Sequence, residues 1–154
     1  VVMSGETEVF FYHLESRTLE QVLPALLERS LDRGWRAVVQ ASSPERVEAL
    51  NMLLWTYREE SFLPHGADAD GTPDAQPVYL TDGDTNPNDA AVRFLVDGAS
   101  LDAVGDYARV VHIFDGHDSD AVARAREAWA VAKEQGLAVS YWQQDECGRW
   151  QKKA

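Results

Sequence analysis

Short runs of β-branched and aromatic residues alternate along this chain with longer stretches of helical spacing, and nothing else in it limits the fold as much. "EVFFYHL" (Glu8–Leu14) has the composition of a strand. "TLEQVLPALLERSLDRG" follows, with Leu19, Val22, Leu23, Leu26, Leu27 and Leu31 near helical spacing. Pro24 bends its first turns and Gly34 is a natural stop. "WRAVVQ" (Trp35–Gln40) reads as a second strand, and "SSPERVEALNMLLW" as a second helix with proline at its first position. Gly66–Gln76 is a polar loop by composition. "PVYLTD" and "AVRFLVDG" read as strands around an Asp/Gly/Asn/Pro loop, and "SLDAVGDYA" as a short helical turn. "RVVHIFDG" is a buried strand, "DSDAVARAREAWAVAKEQG" a helix and "LAVSYWQQ" the last strand.

Strands that alternate with helices imply βα crossovers. The expected class is therefore α/β, a mostly parallel sheet with helices on both faces. A length of 154 residues fits one domain, expected over residues 1–154 without internal repeat or linker. Residues 1–6 are expected to be disordered, while residues 143–154 either return as a hairpin or run out as a tail.

The formal charge of −12 argues against wrapping a long stretch of nucleic acid, because phosphate binding needs a concentrated basic surface. A single cysteine, Cys147, permits neither an internal disulfide nor a cysteine zinc cluster. No segment approaches the length of about 18 apolar residues that a membrane helix needs, and no basic region precedes the first apolar run. The expectation is a cytoplasmic protein.

Nucleotide binding is the natural question for such a fold, since ligands favour the carboxyl ends of the strands. The first strand-to-helix turn, "YHLESRTLEQ", contains no glycine, so neither GxGxxG nor GxxxxGK[ST] is present to bring backbone amides onto phosphate. "DGDTNPNDAAVR" (Asp82–Arg93) alternates oxygen ligands like a calcium loop. Its sixth and twelfth positions, however, hold Pro87 and Arg93 rather than glycine and glutamate. A polar turn between strands is the reading adopted. "HIFDGHDSD" (His112–Asp120) gathers two histidines and three aspartates, and supports an alternative: a small metal- or nucleotide-dependent enzyme. His112 lies in a strand, and Asp118 and Ser119 stand where a helix cap belongs, so caps and loop solvation explain the cluster.

Two surfaces remain. On the helix after Asp118, at about 100° per residue, Ala121, Ala125, Ala128 and Ala132 form one narrow stripe that suits close packing on a sheet. Beside it Val122, Arg126, Trp129 and Lys133 fall at i, i+4, i+7 and i+11. Either Trp129 caps the core edge between solubilising cations, or the stripe is a pocket for an acidic-apolar peptide. The second surface is "LLWTYREESFLPHG". Val47, Leu50 and Leu54 already supply the core face of that helix. Trp55, Phe62 and Pro64 then either pin the loop or form an apolar patch with a polar rim. His65 is assigned to holding the turn.

"LNMLLWTYREESFLPHG", "PVYLTD", a strand, a helix with an Arg-x-x-aromatic pair and the closing "GLAVSYW" resemble the chi subunit of the bacterial DNA polymerase III holoenzyme. The match runs in register from about Thr7 to Trp150. This resemblance implies a non-catalytic accessory subunit with a Rossmann-like topology, no nucleotide-binding glycine loop and no cofactor. It implies that the chain links the clamp loader, through psi or an equivalent component, to the acidic C-terminal tail of single-stranded-DNA-binding protein. Sequence-specific nucleic-acid binding and membrane attachment are not implied. By motif the psi contact falls on Trp55, Phe62 and Pro64, and the tail contact on Val122, Arg126, Trp129 and Lys133. Relatives commonly carry tyrosine where this chain has Trp129, and Val122 and Ala130 occupy positions that can be basic.

Overall fold

The computed structural model describes residues 7–56, 66–67, 77–83, 86, 88–96 and 107–153. The readings of residues 1–6, of most of the loop after Ala67 and of residues 100–106 fall outside them. In chain order the elements are β1 (Glu8–Leu14), α1 (Leu19–Asp32), β2 (Ala37–Gln40), α2 (Pro44–Thr56), β3 (Gly66–Ala67), β4 (Val78–Thr81), β5 (Val92–Leu95), β6 (Arg109–Asp115), α3 (Ser119–Glu134), β7 (Ala138–Gln144) and β8 (Trp150–Lys152).

One eight-stranded sheet has the order β3-β4-β2-β5-β6-β1-β7-β8. Its pairs are parallel except β7 with β8, which closes a hairpin. The expected α/β class, with a mostly parallel sheet and helices on both faces, is what forms. Period-two alternation distributes each strand's side chains between the layers. Val39, Phe94, Val111 and Ile113 pack with α1 and α2 in the larger core. Val9, Phe11 and Phe114 turn the other way and meet α3.

Local chemistry sets the helix ends. Thr18 precedes α1, and the Gln21 side chain accepts from its backbone N–H at 2.9 Å. Pro24 is accommodated within the buried face of α1. Gly34 takes φ +81°, which lets the chain turn directly into β2. On α2, Val47, Leu50 and Leu54 are buried as their spacing predicts.

Gly66–Ala67, read as loop, instead pairs with Tyr79 and Leu80 at the sheet edge. Edge pairing uses only backbone N–H and C=O groups, so polar composition did not reveal it. The calcium-like stretch is a turn in its described part. Ala90 N–H donates to Asn86 Oδ1 at 2.8 Å, and Asn88 Nδ2 donates to the Ala37 carbonyl at 3.1 Å. A cation is nevertheless present, because the Arg93 side chain is fully buried there.

Candidate partner-binding surface

Asp118 starts α3 by accepting from the N–H groups of Asp120 at 3.0 Å and Ala121 at 3.3 Å. That cap fixes the helix rotation, and the alanine stripe faces the sheet as expected. Ala125 and Ala132 are buried, while Ala121 and Ala128 are half-buried. Ala121, Ala125 and Ala128 border a cleft of about 660 Å³ at the carboxyl ends of β1 and β6.

The neighbouring stripe divides by chemistry. Val122 and Trp129 join the apolar cluster under α3, whereas Arg126 and Lys133 are exposed. The Trp129 ring meets Phe11 edge-on at 5.5 Å and 65°, and Tyr141 at 5.9 Å and 78°. Lys133 Nζ sits 5.4 Å from the indole centroid. An edge-to-face pair adds about 0.5–1.5 kcal/mol beyond area burial, so two of them hold the indole in one orientation. Trp129 therefore does close the core edge, and it does so with the Lys133 cation beside it.

Tyr141 is the wall that periodicity on α3 alone did not find. Burial raises its hydroxyl pKa, Arg126 lowers it, and Glu15 raises it. Its Oη lies 2.6 Å from His13 Nδ1, and His13 Nε2 lies 2.6 Å from Glu15 Oε1. Strands β1 and β7 are adjacent, so this polar chain braces the rim beside Trp129 and Arg126. The available signal was the alternation of "AVSYWQQ", which puts Tyr141 and Val139 on one face and Trp142 on the other.

The other sequence-derived surface is described only in part. Trp55 lies in the last turn of α2 by its backbone. Its side chain, and Phe62, Pro64 and His65, lie outside the described residues.

The His112–Asp120 group is occupied with structural tasks. His112 stacks flat on Phe11, centroids 4.7 Å apart and planes within 4°. Asp115 accepts from the His117 N–H at 2.9 Å, and Asp118 caps α3. His117 Nε2 donates to the Glu15 carbonyl at 2.8 Å. Among the described residues no three His, Cys, Asp or Glu side chains converge as metal ligands. The first strand-to-helix turn has a comparable explanation. The backbone N–H groups of Glu15 and Arg17 both donate to Gln144 Oε1, at 3.0 and 3.1 Å. A side chain from β7 thus takes amides that a glycine loop would offer to phosphate.

Burial pushes the His112 pKa down from 6.5 to about 4. Between those values the unfolded chain holds more protons, so stability falls as pH drops through that window. The contribution of His112 is expected to be about 2–3 kcal/mol less favourable at pH 4.5 than at pH 7. Urea midpoints of the wild type and His112→Phe at both pH values check this. Equal pH dependence in the two chains would show that the ring takes a proton in the fold. His117 acts in the opposite sense. Its pKa is raised by the bond to the Glu15 carbonyl and then by the Glu15 carboxylate. Its contribution is present at low pH and lost as pH rises through its folded value.

The fold and the closed first turn define the class as a Rossmann-like α/β protein without a phosphate-binding glycine loop, carrying a cationic-aromatic helix face. The chain belongs to the DNA polymerase III chi subunit family (HolC), whose family model matches residues 7–140. It is 32% identical over 102 residues to the "Probable DNA polymerase III subunit chi" of Rickettsia prowazekii (strain Madrid E). That alignment takes in 64% of this chain and 62% of the relative. Among the described residues no helix is long and apolar enough to cross a membrane.

Proposed function

We propose that this chain is a non-catalytic, cytoplasmic adaptor that joins the clamp loader, through psi or an equivalent component, to the acidic C-terminal tail of single-stranded-DNA-binding protein. The observation that carries the tail contact is the oriented Trp129 indole between the Arg126 and Lys133 cations, with Tyr141 as a wall. An apolar side chain of the tail lies against the indole, and its carboxylates take the cations. Val122 supplies apolar floor at the first turn of the stripe. A protein of charge −12 can offer such a patch locally while staying off DNA itself.

The structural tasks taken by His112, Asp115, His117 and Asp118 favour this reading over an enzyme built on that cluster. Arg126→Ala is expected to weaken binding of a peptide copying the tail about tenfold or more, with the unfolding midpoint little changed. Trp129→Ala is expected to weaken it at least as much while lowering the midpoint, because the indole also closes the core edge. Raising the salt should weaken the wild-type complex, because exposed charge pairs are screened over about 8–10 Å near physiological ionic strength. Unchanged affinity by fluorescence anisotropy in either variant removes this assignment.

The clamp-loader contact rests on the Trp55, Phe62 and Pro64 motif. Trp55→Ala or Phe62→Ala is expected to release the clamp-loader partner in a pull-down, while the tail peptide still binds. Retention of the partner by both variants would make the motif a loop anchor instead.

A further inference from the structure

The opposite face of the sheet, beside α1, carries a second groove of about 410 Å³. Its rim is formed by Tyr12, Arg29, Arg33, Trp35 and Arg109, and its floor includes Phe94 and Val111. Among its lining residues three arginines stand against one carboxylate, Asp32. That balance inverts the chain as a whole, where 14 Lys and Arg face 26 Asp and Glu.

The guanidiniums are held by the aromatic rings. Arg33 lies 4.1 Å from the Trp35 centroid, and Arg109 lies 4.1 Å from Phe10 and 5.2 Å from Trp35. Such stacking fixes the plane of each fork while leaving its N–H edges for an acceptor. Arg109 gives Nη2 to Glu8 at 3.0 Å, and its Nε is buried with no hydrogen-bond partner among the described residues. Burial raises the Tyr12 hydroxyl pKa while Arg109 and Arg29 pull it back, so both cations are felt inside the groove.

We propose that this groove docks an acidic peptide segment of a partner protein, with an aromatic or aliphatic side chain entering between Tyr12 and Trp35 and flanking carboxylates meeting Arg29 and Arg33. A concave apolar floor with a cationic rim suits that chemistry. Single-stranded nucleic acid fits less well, because base stacking needs open ring faces. Here Arg33 and Arg109 stack on Trp35, Arg109 covers Phe10, and Tyr12 stacks on Trp150 at 4.6 Å. The groove and the α3 stripe lie on opposite faces of the sheet, so one short peptide does not serve both.

The test is a titration of the full chain with a synthetic peptide of aspartates around one phenylalanine, blocked at both ends, followed through the tryptophan indole N–H resonances. The Trp35 signal is expected to shift in the wild type and equally in an Arg126→Ala/Trp129→Ala chain. Arg29→Ser/Arg33→Ser should weaken that response at least about tenfold with an unchanged unfolding midpoint, since both side chains are exposed. No shift at Trp35, a shift that survives loss of both arginines, or tighter binding of oligothymidylate than of the peptide at Trp35 would each overturn the proposal. The α3 assignment depends on Arg126 and Trp129 and stands apart from all of these outcomes.

Discussion

Arg93→Met is expected to lower the unfolding free energy by about 2–4 kcal/mol, because buried neutral acceptors lose a charged donor. The Arg93 side chain is fully buried, and its guanidinium gathers three otherwise separate groups. Nε and Nη2 donate to Gln40 Oε1 at 2.9 and 2.7 Å, Nη1 to Tyr107 Oη at 2.9 Å, and Nη2 to the Gly83 carbonyl at 2.5 Å. Methionine fills much of the volume and removes the desolvated charge, which by itself favours the variant. Against that, the three acceptors lose their donor, at about 1–3 kcal/mol for each left unsatisfied. The second effect is the larger. Adding Gln40→Leu to the variant should recover part of the loss, because it removes one of those acceptors. Urea denaturation of the three chains measures this, and an Arg93→Met midpoint equal to wild type would show that the guanidinium holds nothing together.

Phe11→Ala is expected to cost about 3–5 kcal/mol, as for other fully buried aromatic truncations. Phe11 is fully buried on β1, with the His112 ring flat against it and the Trp129 ring edge-on. Its loss opens a cavity under α3 and releases His112 from the contact that keeps it dry, so the His112 pKa should rise toward its ordinary value. Phe11→Leu separates stability from binding. It keeps most of the volume and the fold, but removes an edge-to-face pair of about 0.5–1.5 kcal/mol that sets the indole's angle. The expected result is a chain that unfolds somewhat earlier than wild type and binds the tail peptide several-fold more weakly. Full peptide affinity in Phe11→Leu would mean that Tyr141 alone orients Trp129.

These two residues mark the limit of what the sequence disclosed. Arg93 was visible only as the residue that spoils a calcium loop, since nothing local pairs it with Gln40 or Tyr107. Phe11 was visible as strand core, but its role beneath Trp129 required β1 to lie under α3. The α3 stripe itself was legible, because Val122, Arg126, Trp129 and Lys133 are fixed relative to one another by helical geometry alone. Tyr141 was not, because it reaches the stripe from another element.

The same distinction holds across the molecule. Apart from the edge strands β3 and β8, the order of elements, the α/β class, the core faces of α1 and α2 and the Asp118 cap follow from spacing within single segments. Local periodicity carries that information, so the sequence by itself determined it. Tertiary structure alone decided that Gln144 takes the amides of Glu15 and Arg17, that His13 meets Tyr141, and that Arg29, Arg33 and Arg109 ring one groove. A parallel sheet joins neighbours through long crossovers. It sets β7 beside β1 with most of the chain between them, and no pattern within a single segment encodes which side chains then meet.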